Sequence, residues 1–244
     1  MTRVGRSLLR CGAVACPLFV SVFLIEGAHR PDYRPLRHPV SSLALGPRGW
    51  VQVANFAATG MLYLAGAVGL TRSPNLTGRN RIAAAALGAT GIGLLGSAAF
   101  RTDPVSGYPP GTPAVSAKTT TTGNLHTAAG MPIFLGIPAA AAAYAWQAVR
   151  GGRPGWAVYS AATTVAMLTG MGLAGQGFGQ VPRLVNYAGL FQRAAIVAGF
   201  SWLSAVSARP PQGTAGHDRQ TRREARWRRG GVPSQLMCNA VRIW

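Results

Sequence analysis

Residues 82–100 read IAAAALGATGIGLLGSAAF, a run without a single Lys, Arg, Asp or Glu. A helix needs about 20 apolar residues to cross a bilayer, and no lipid-exposed strand or loop could replace it in hydrocarbon. Five stretches of similar length accompany this one, at residues 8–28, 50–70, 124–148, 155–176 and 187–206. The sequence therefore predicts an all-α, polytopic bundle of six transmembrane helices.

The composition agrees with this class of protein. Only 12% of the 244 residues are charged, whereas soluble domains have about 25%. Short connections between the six spans predict one compact transmembrane domain, residues 1–206, followed by a basic tail, residues 207–244. Lys118 is the only lysine among 24 basic residues. This preference for arginine, together with abundant Ala and Gly, indicates a GC-rich genome and a bacterial source.

The distribution of basic residues predicts the topology. With the N-terminus inside, the inner segments carry sixteen basic residues and the outer segments seven. The positive-inside rule then places both termini in the cytoplasm of a multi-pass protein of the cell membrane. Without the tail the inner excess is only one residue, eight against seven.

The tail and the cysteines indicate no cofactor. Residues 219–229 hold a cluster of six arginines, which we expect to be disordered and attracted to anionic headgroups, at about 1 kcal/mol per basic residue near the surface. Although the net charge is +19, we expect no specific nucleic-acid partner. Cys11, Cys16 and Cys238 have neither a disulfide pattern nor metal-ligand spacing.

The third and fifth stretches are rich in small residues. Small side chains let helices approach closely in lipid, so we expect both helices near the centre of the bundle. Gly91–Gly96 and Gly170–Gly175 match the dinucleotide pattern GxGxxG. Because that pattern requires a preceding strand, we interpret both copies as helix-packing glycines. Their similarity favours either a duplicated helical hairpin or convergent composition.

Polar residues gather at the outer ends of five spans. Arg193 lies inside the last span, where a charge costs at least about 2.5 kcal/mol, so we expect it to face the interior and a partner. Glu26 and Asp103 are the acids at a suitable depth. The candidate ligand-binding residues are Arg193, Asp103, His126, Glu26, Ser41 and Gln192.

This cluster has several interpretations. It could form a cavity for a lipid headgroup or small anionic ligand, with Arg193 as the fixed positive charge. It could equally be an interhelical ion pair, or Arg193 could snorkel to the surface. No HxxxH or HExxH pattern supports a metal site at His29, His38 and His126. Ser41 is a candidate nucleophile by proximity alone and fits the N-cap of a short turn before the second helix at least as well.

Several segments resemble a known family. They are residues 33–46, 50–60, 100–104, 107–109, 123–126 and 189–193. Together they resemble the bacterial membrane family catalogued as domain of unknown function 998, which implies about six helices and no assigned activity. The His38-Pro-Val-Ser-Ser segment and the His that opens the fourth helix also resemble the Frag1/DRAM/Sfk1 membrane proteins. That resemblance implies a link to lipids.

Two functional hypotheses follow, and neither decides whether the protein is an enzyme. In the first, the protein handles a lipid or small ligand at a cavity open to the outer leaflet. In the second, it is a non-catalytic scaffold whose polar cluster only fixes the helices. A secondary transporter is a weaker third hypothesis, because the central helices carry no charge at mid-bilayer and no clear break. Pro132 and Pro138 are nevertheless expected to kink the fourth helix.

Overall fold

The computed structural model describes residues 2–73, 76–115 and 118–208, and these ranges contain helices and no β-strand. The helices are α1 (Arg3–His29), α2 (Gly49–Thr71), α3 (Gly78–Ala99), α4 (Thr121–Met131), α5 (Ile137–Arg150), α6 (Pro154–Phe178) and α7 (Ala188–Ala208). A 3₁₀ turn, Val40–Ala44, precedes α2, and another, Val185–Tyr187, leads into α7.

The six predicted spans are confirmed as helices. Within the described ranges, six helical segments are long and apolar enough to cross a membrane, which makes this a multi-pass membrane protein. The fourth span is composite and runs over Thr121–Arg150 as α4, a π-helical segment and α5. The last helix ends at Ala208, two residues beyond the predicted domain boundary. The rest of the predicted tail, including Cys238, lies outside the described residues, and the inside position of the termini stays a prediction.

The fourth span changes its helical geometry where the prolines stand, as predicted. Residues Pro132–Gly136 form a single π-helical segment, and Pro138 lies in the first turn of α5. A proline lacks the N–H that an α-helix needs at this point, and π segments are a common local accommodation. The segment separates two partners: α4 packs against α3, whereas α5 packs along α6.

The prediction of two central helices is half wrong. The last span is the most buried, at 61% of its apolar window, followed by the third at 50%, whereas the fifth reaches only 28%. The small residues of the fifth span explain the difference. Gly170 and Gly177 pack against neighbouring chain, but added Cβ atoms at Gly172 and Gly175 would meet nothing within 4 Å. One side of α6 therefore carries small residues that no neighbouring part of the chain packs against.

Glycines set the closest helix contacts. A Cβ at Gly66 of α2 would come within 2.9 Å of the Gly12 Cα of α1, and a Cβ at Gly91 of α3 within 2.8 Å of the Gly60 carbonyl oxygen. At Gly93, a Cβ would lie 2.6 Å from the carbonyl oxygen of Ala129 in α4. Both GxGxxG segments lie within continuous helices, α3 and α6. The glycines of the α3 copy thus bring α2 and α4 onto α3.

Candidate functional site

A cavity of about 290 Å³ lies between the helices, toward the end of the bundle formed by residues 30–48, 100–115 and 179–184, here called the loop end. All six spans border it, α2 through Phe56 alone, and the 3₁₀ turn at Val40 roofs it. Its main apolar lining residues are Phe19, Phe56, Leu94, Ile133, Phe134, Met171, Phe178, Ile196 and Phe200. Its main polar lining residues are Ser41, Ser97, Thr102, His126, Thr127 and Gln192.

The cavity has polar and apolar lining residues at the loop end, such as Gln192 and Val105, and mainly apolar residues deeper in the bundle. Gln192, Ile196 and Phe200 follow one face of α7 at four-residue spacing and line the cavity over about 12 Å, at 1.5 Å per residue. Gln192 is the one nearest the loop end. On α3, Ser97 likewise lies nearer the loop end than Leu94. The polar side chains of the lining thus lie in the part of the cavity that is nearer the loop end.

The cavity fills a gap between the fourth and fifth spans. Because α5 packs along α6 and α4 has no comparable contact with it, these spans diverge toward the loop end. Thr127 and Phe134 line the cavity from one side of this gap, and Met171 and Phe178 from the other. Thr127 is exposed and the other three are half-buried. Because Thr127 is exposed and also belongs to the lining, the cavity is open to the outside of the bundle at this gap.

Three of the six predicted site residues line the cavity: Ser41, His126 and Gln192. Ser41 lies inside the short 3₁₀ turn before α2, Val40–Ala44, and the N-cap of that turn is Pro39. The Gln192 Oε1 accepts a hydrogen bond of 2.8 Å from the backbone N–H of Val40. The side chain of Gln192 thereby ties α7 to the loop that roofs the cavity.

His126 connects α4 to the end of α3. Its Nδ1 lies 2.9 Å from the carbonyl oxygen of Phe100. Because a carbonyl can only accept, Nδ1 carries the proton, and the Nε2 of the neutral ring is an acceptor. The ring also meets the Phe56 ring edge to face, with centroids 6.1 Å apart.

Asp103 borders a second cavity, of about 280 Å³, next to the first. Thr102, Val105, Thr127 and Phe178 line both. The Asp103 carboxylate accepts hydrogen bonds from the Thr120 backbone N–H at 2.9 Å and from its hydroxyl at 2.7 Å. An anion at a helix N-terminus is stabilising. Asp103 therefore holds the start of α4.

Arg193 has a different partner from the one predicted. Its Nη1 donates to the carbonyl oxygens of Pro35, of His38 at 3.0 Å and of Gly189 at 3.0 Å, and its Nη2 donates to the Tyr33 hydroxyl. No carboxylate among the described residues pairs with it. The expectation of Glu26 or Asp103 as its partner is therefore wrong. The guanidinium instead fixes the residue 30–48 loop against α7.

Glu26 forms ion pairs with two arginines other than Arg193. Its carboxylate accepts from Arg30 at 2.9 Å and from Arg48 at 2.5 Å. Arg30 also donates to the carbonyl oxygens of Leu43 and Leu45, at 3.2 and 2.9 Å. Glu26 and Arg30 are 4% and 8% exposed. This network holds the other side of the same loop, away from the cavity lining.

His38 stands in an aromatic and cationic environment. Its ring contacts those of Tyr33 and Tyr108, and its Nδ1 accepts from the backbone N–H of Arg34 at 2.9 Å. Burial, followed by the charge of Arg37, lowers the pKa of His38 to about 4, although a backbone hydrogen bond with Ser106 opposes this. Burial also raises the pKa of Tyr33, against the opposing charge of Arg193.

This gives a pH dependence with a defined sign. Between pH 6.5 and about 4 the unfolded chain binds a proton at His38 that the folded chain does not, so the free energy of unfolding falls as the pH drops through this window. We expect the melting temperature of the wild type to decrease more steeply there than that of His38→Asn, whose Oδ1 can still accept from Arg34. Equal slopes for the two proteins in nanodiscs would contradict the assignment.

The described residues contain no group of three or more His, Cys, Asp or Glu that could hold a metal.

Sequence reasoning missed Arg30 and Arg48 as partners of Glu26, and Tyr33 as a partner of Arg193. The four-residue spacing of Glu26 and Arg30 was a usable signal. The loop carbonyl oxygens that accept from Arg193 give no such signal in the sequence, because every residue has a carbonyl group.

The comparisons with known proteins agree with the architecture. No match was found among functionally curated proteins or among solved structures. The model of the family described as "Protein of unknown function (DUF998)" matches residues 13–209. That range includes all residues of both cavities and the two arginine networks. On this match, the chain belongs to the DUF998 family.

Proposed function

We propose that the protein binds a membrane lipid, or a lipid-like amphipathic molecule, in the 290 Å³ cavity, and that the ligand enters sideways through the gap between α4 and α6. The observation that carries this proposal is the continuity of an apolar cavity with a lipid-facing gap. On the predicted topology, the gap opens to the outer leaflet of the cell membrane. The proposal names binding and leaves open whether a reaction follows.

The chemistry of the lining supports a lipid. Small-molecule sites are mostly apolar and carry a few well-placed polar groups. The apolar part lies deep, and the polar side chains of Ser41, Thr102 and Gln192 lie at the loop end. The volume is near the lower end for ligand sites, which suits one hydrocarbon chain better than two. A chain reaching the cavity from the bilayer would leave one apolar environment for another.

The scaffold hypothesis retains part of the cluster. Arg193 and Glu26 both hold the residue 30–48 loop, and neither lines a described cavity. These contacts favour a structural role for the two charges. They do not account for the space next to Gln192 and His126.

A bulky residue in the gap tests lateral entry. Gly175 of α6 lies between the lining residues Met171 and Phe178 along the helix, about 40° round the axis from Met171, and a Cβ there would meet nothing within 4 Å. We expect Gly175→Trp to reduce the bound lipid severalfold, because the indole occupies the gap without displacing a neighbour. The measurement is native mass spectrometry of protein released from nanodiscs of defined lipid composition.

Gly172→Trp is the matched control. Gly172 is equally open but lies about 60° further round the helix, toward lipid, at 100° per residue. It should leave the bound lipid unchanged. Folded wild type that releases no lipid would contradict the proposed function, whereas equal loss in both variants would contradict entry through this gap.

A further inference from the structure

We infer that the polar group of the cavity's ligand is an uncharged hydroxyl, as in a fatty alcohol or a glyceride, and that Gln192 and His126 recognise it. This inference rests on the proposed function and names the class of its ligand. It replaces the expectation of an anionic group held by Arg193.

The first argument is the charge of the lining. No Lys, Arg, Asp or Glu lines the 290 Å³ cavity. The guanidinium of Arg193, next in sequence to Gln192, is turned to the loop carbonyls of Pro35 and His38. Asp103 is bound to Thr120. A charged group in this cavity would find no counter-ion, and burying a charge without one is strongly unfavourable.

The second argument is the free donor of Gln192. This residue is 7% exposed, and its Oε1 is used by Val40. Because Oε1 is thereby identified, the other terminal atom is the NH₂ group, which has no hydrogen-bond partner within residues 2–73, 76–115 and 118–208. This nitrogen is not among the enclosed, unpartnered side-chain atoms of the described residues, so it is accessible from the cavity that Gln192 lines. An oxygen of a ligand there can accept from it.

The third argument is the acceptor of His126. Its Nδ1–H is committed to Phe100, and the backbone of Ser97 lies close to the same ring. No N–H or O–H group of the described residues donates to Nε2, which therefore offers a lone pair. Both residues line the same cavity. A ligand group that meets both of them has to accept from Gln192 and donate to His126. A hydroxyl does both, whereas a carboxylate or phosphate dianion only accepts and an alkylammonium only donates.

The experiment varies only the polar group of the probe. Wild-type protein in nanodiscs is photolabelled with an alkyl diazirine that has no polar group, and labelling of α4, α6 and α7 peptides is mapped. The competitors are dodecane, 1-dodecanol, dodecanoate and dodecylammonium, which share one chain. We expect 1-dodecanol to compete roughly tenfold better than dodecane, as one or two buried hydrogen bonds imply, and dodecanoate to compete worse than 1-dodecanol.

Variants assign the preference to the two residues. Gln192→Glu keeps the acceptor for Val40 but removes the donor, and we expect it to lose the preference for 1-dodecanol and to favour dodecylammonium. His126→Phe removes the acceptor while keeping a ring against Phe56, and it should bring 1-dodecanol close to dodecane. Gln176→Leu, an exposed glutamine on α6, is the control and should behave as wild type.

The outcomes separate the two proposals. If dodecanoate competes as well as 1-dodecanol, or if all four probes compete equally, the neutral hydroxyl is refuted while the lipid site stands. If folded wild type shows no saturable labelling of the cavity peptides, the proposed function itself fails. A preference for 1-dodecanol that survives in both Gln192→Glu and His126→Phe would refute the assignment to these residues.

Discussion

Arg193→Met is expected to lower the melting temperature in detergent by about 10 °C. The substitution keeps an apolar side chain of similar length but leaves the carbonyl oxygen of Pro35 and the Tyr33 hydroxyl oxygen without their donor. The carbonyl oxygen of His38 loses one of its two donors and keeps the Tyr33 hydroxyl. Each buried acceptor that loses its partner costs about 1–3 kcal/mol. About 1 kcal/mol shifts the melting temperature of a domain of this size by roughly 2–4 °C.

Two other substitutions define the Arg193 effect. Arg183→Met makes the same change at an exposed position and should shift the melting temperature by less than about 2 °C, since exposed charges contribute little. Arg193→Lys keeps the charge but not the planar donor pair, so its melting temperature should lie between the others. If Arg193→Met melts at or above the wild-type temperature, the charge is strained rather than stabilising, which is the behaviour expected of a ligand site.

Glu26→Gln should destabilise the protein by about 3–5 kcal/mol, the usual effect of removing one partner of a buried ion pair. The amide leaves the buried guanidinium of Arg30 without a counter-charge. Arg30 has a side chain only 5% exposed, so water cannot replace the carboxylate. Thermal unfolding in detergent measures the effect.

Arg48→Gln removes the other partner of Glu26 and serves as the comparison. The side chain of Arg48 is 55% exposed, so its interaction with Glu26 is screened and should contribute less than about 1 kcal/mol. The melting temperature is therefore expected to be highest for the wild type, slightly lower for Arg48→Gln and far lower for Glu26→Gln. Equal melting temperatures for the two variants would show that burial does not set the strength of this network.

The spans were predictable because lipid imposes one strong requirement on the backbone. Each run of about 20 apolar residues had to become a helix, and the prolines of the fourth run located its irregular segment. Burial of helices was less predictable. Gly172 and Gly175 look like packing residues in the sequence, yet they face open space, because a small side chain permits contact without requiring it.

The site was predictable in part. Depth along the helices placed His126 and Gln192 at one end of the bundle, and the first outer loop placed Ser41 there; all three line one cavity. Depth could not give the partner of Arg193. That partner is a set of loop carbonyls whose position depends on how residues 30–48 fold. The apolar lining of the cavity could not be predicted from the sequence either, since Phe134 and Met171 look like any other lipid-facing residues.

The Arg193 contacts have a consequence for the order of biosynthesis. The donor and the His38 carbonyl are 155 residues apart in the chain, which at 5–20 residues per second means a delay of roughly 10–30 s during translation. Until the last span is inserted, the loop lacks one of its two arginine anchors. A ribosome that stops before residue 193 would therefore leave a nascent protein with this segment only half secured, a form suited to recognition by membrane proteases.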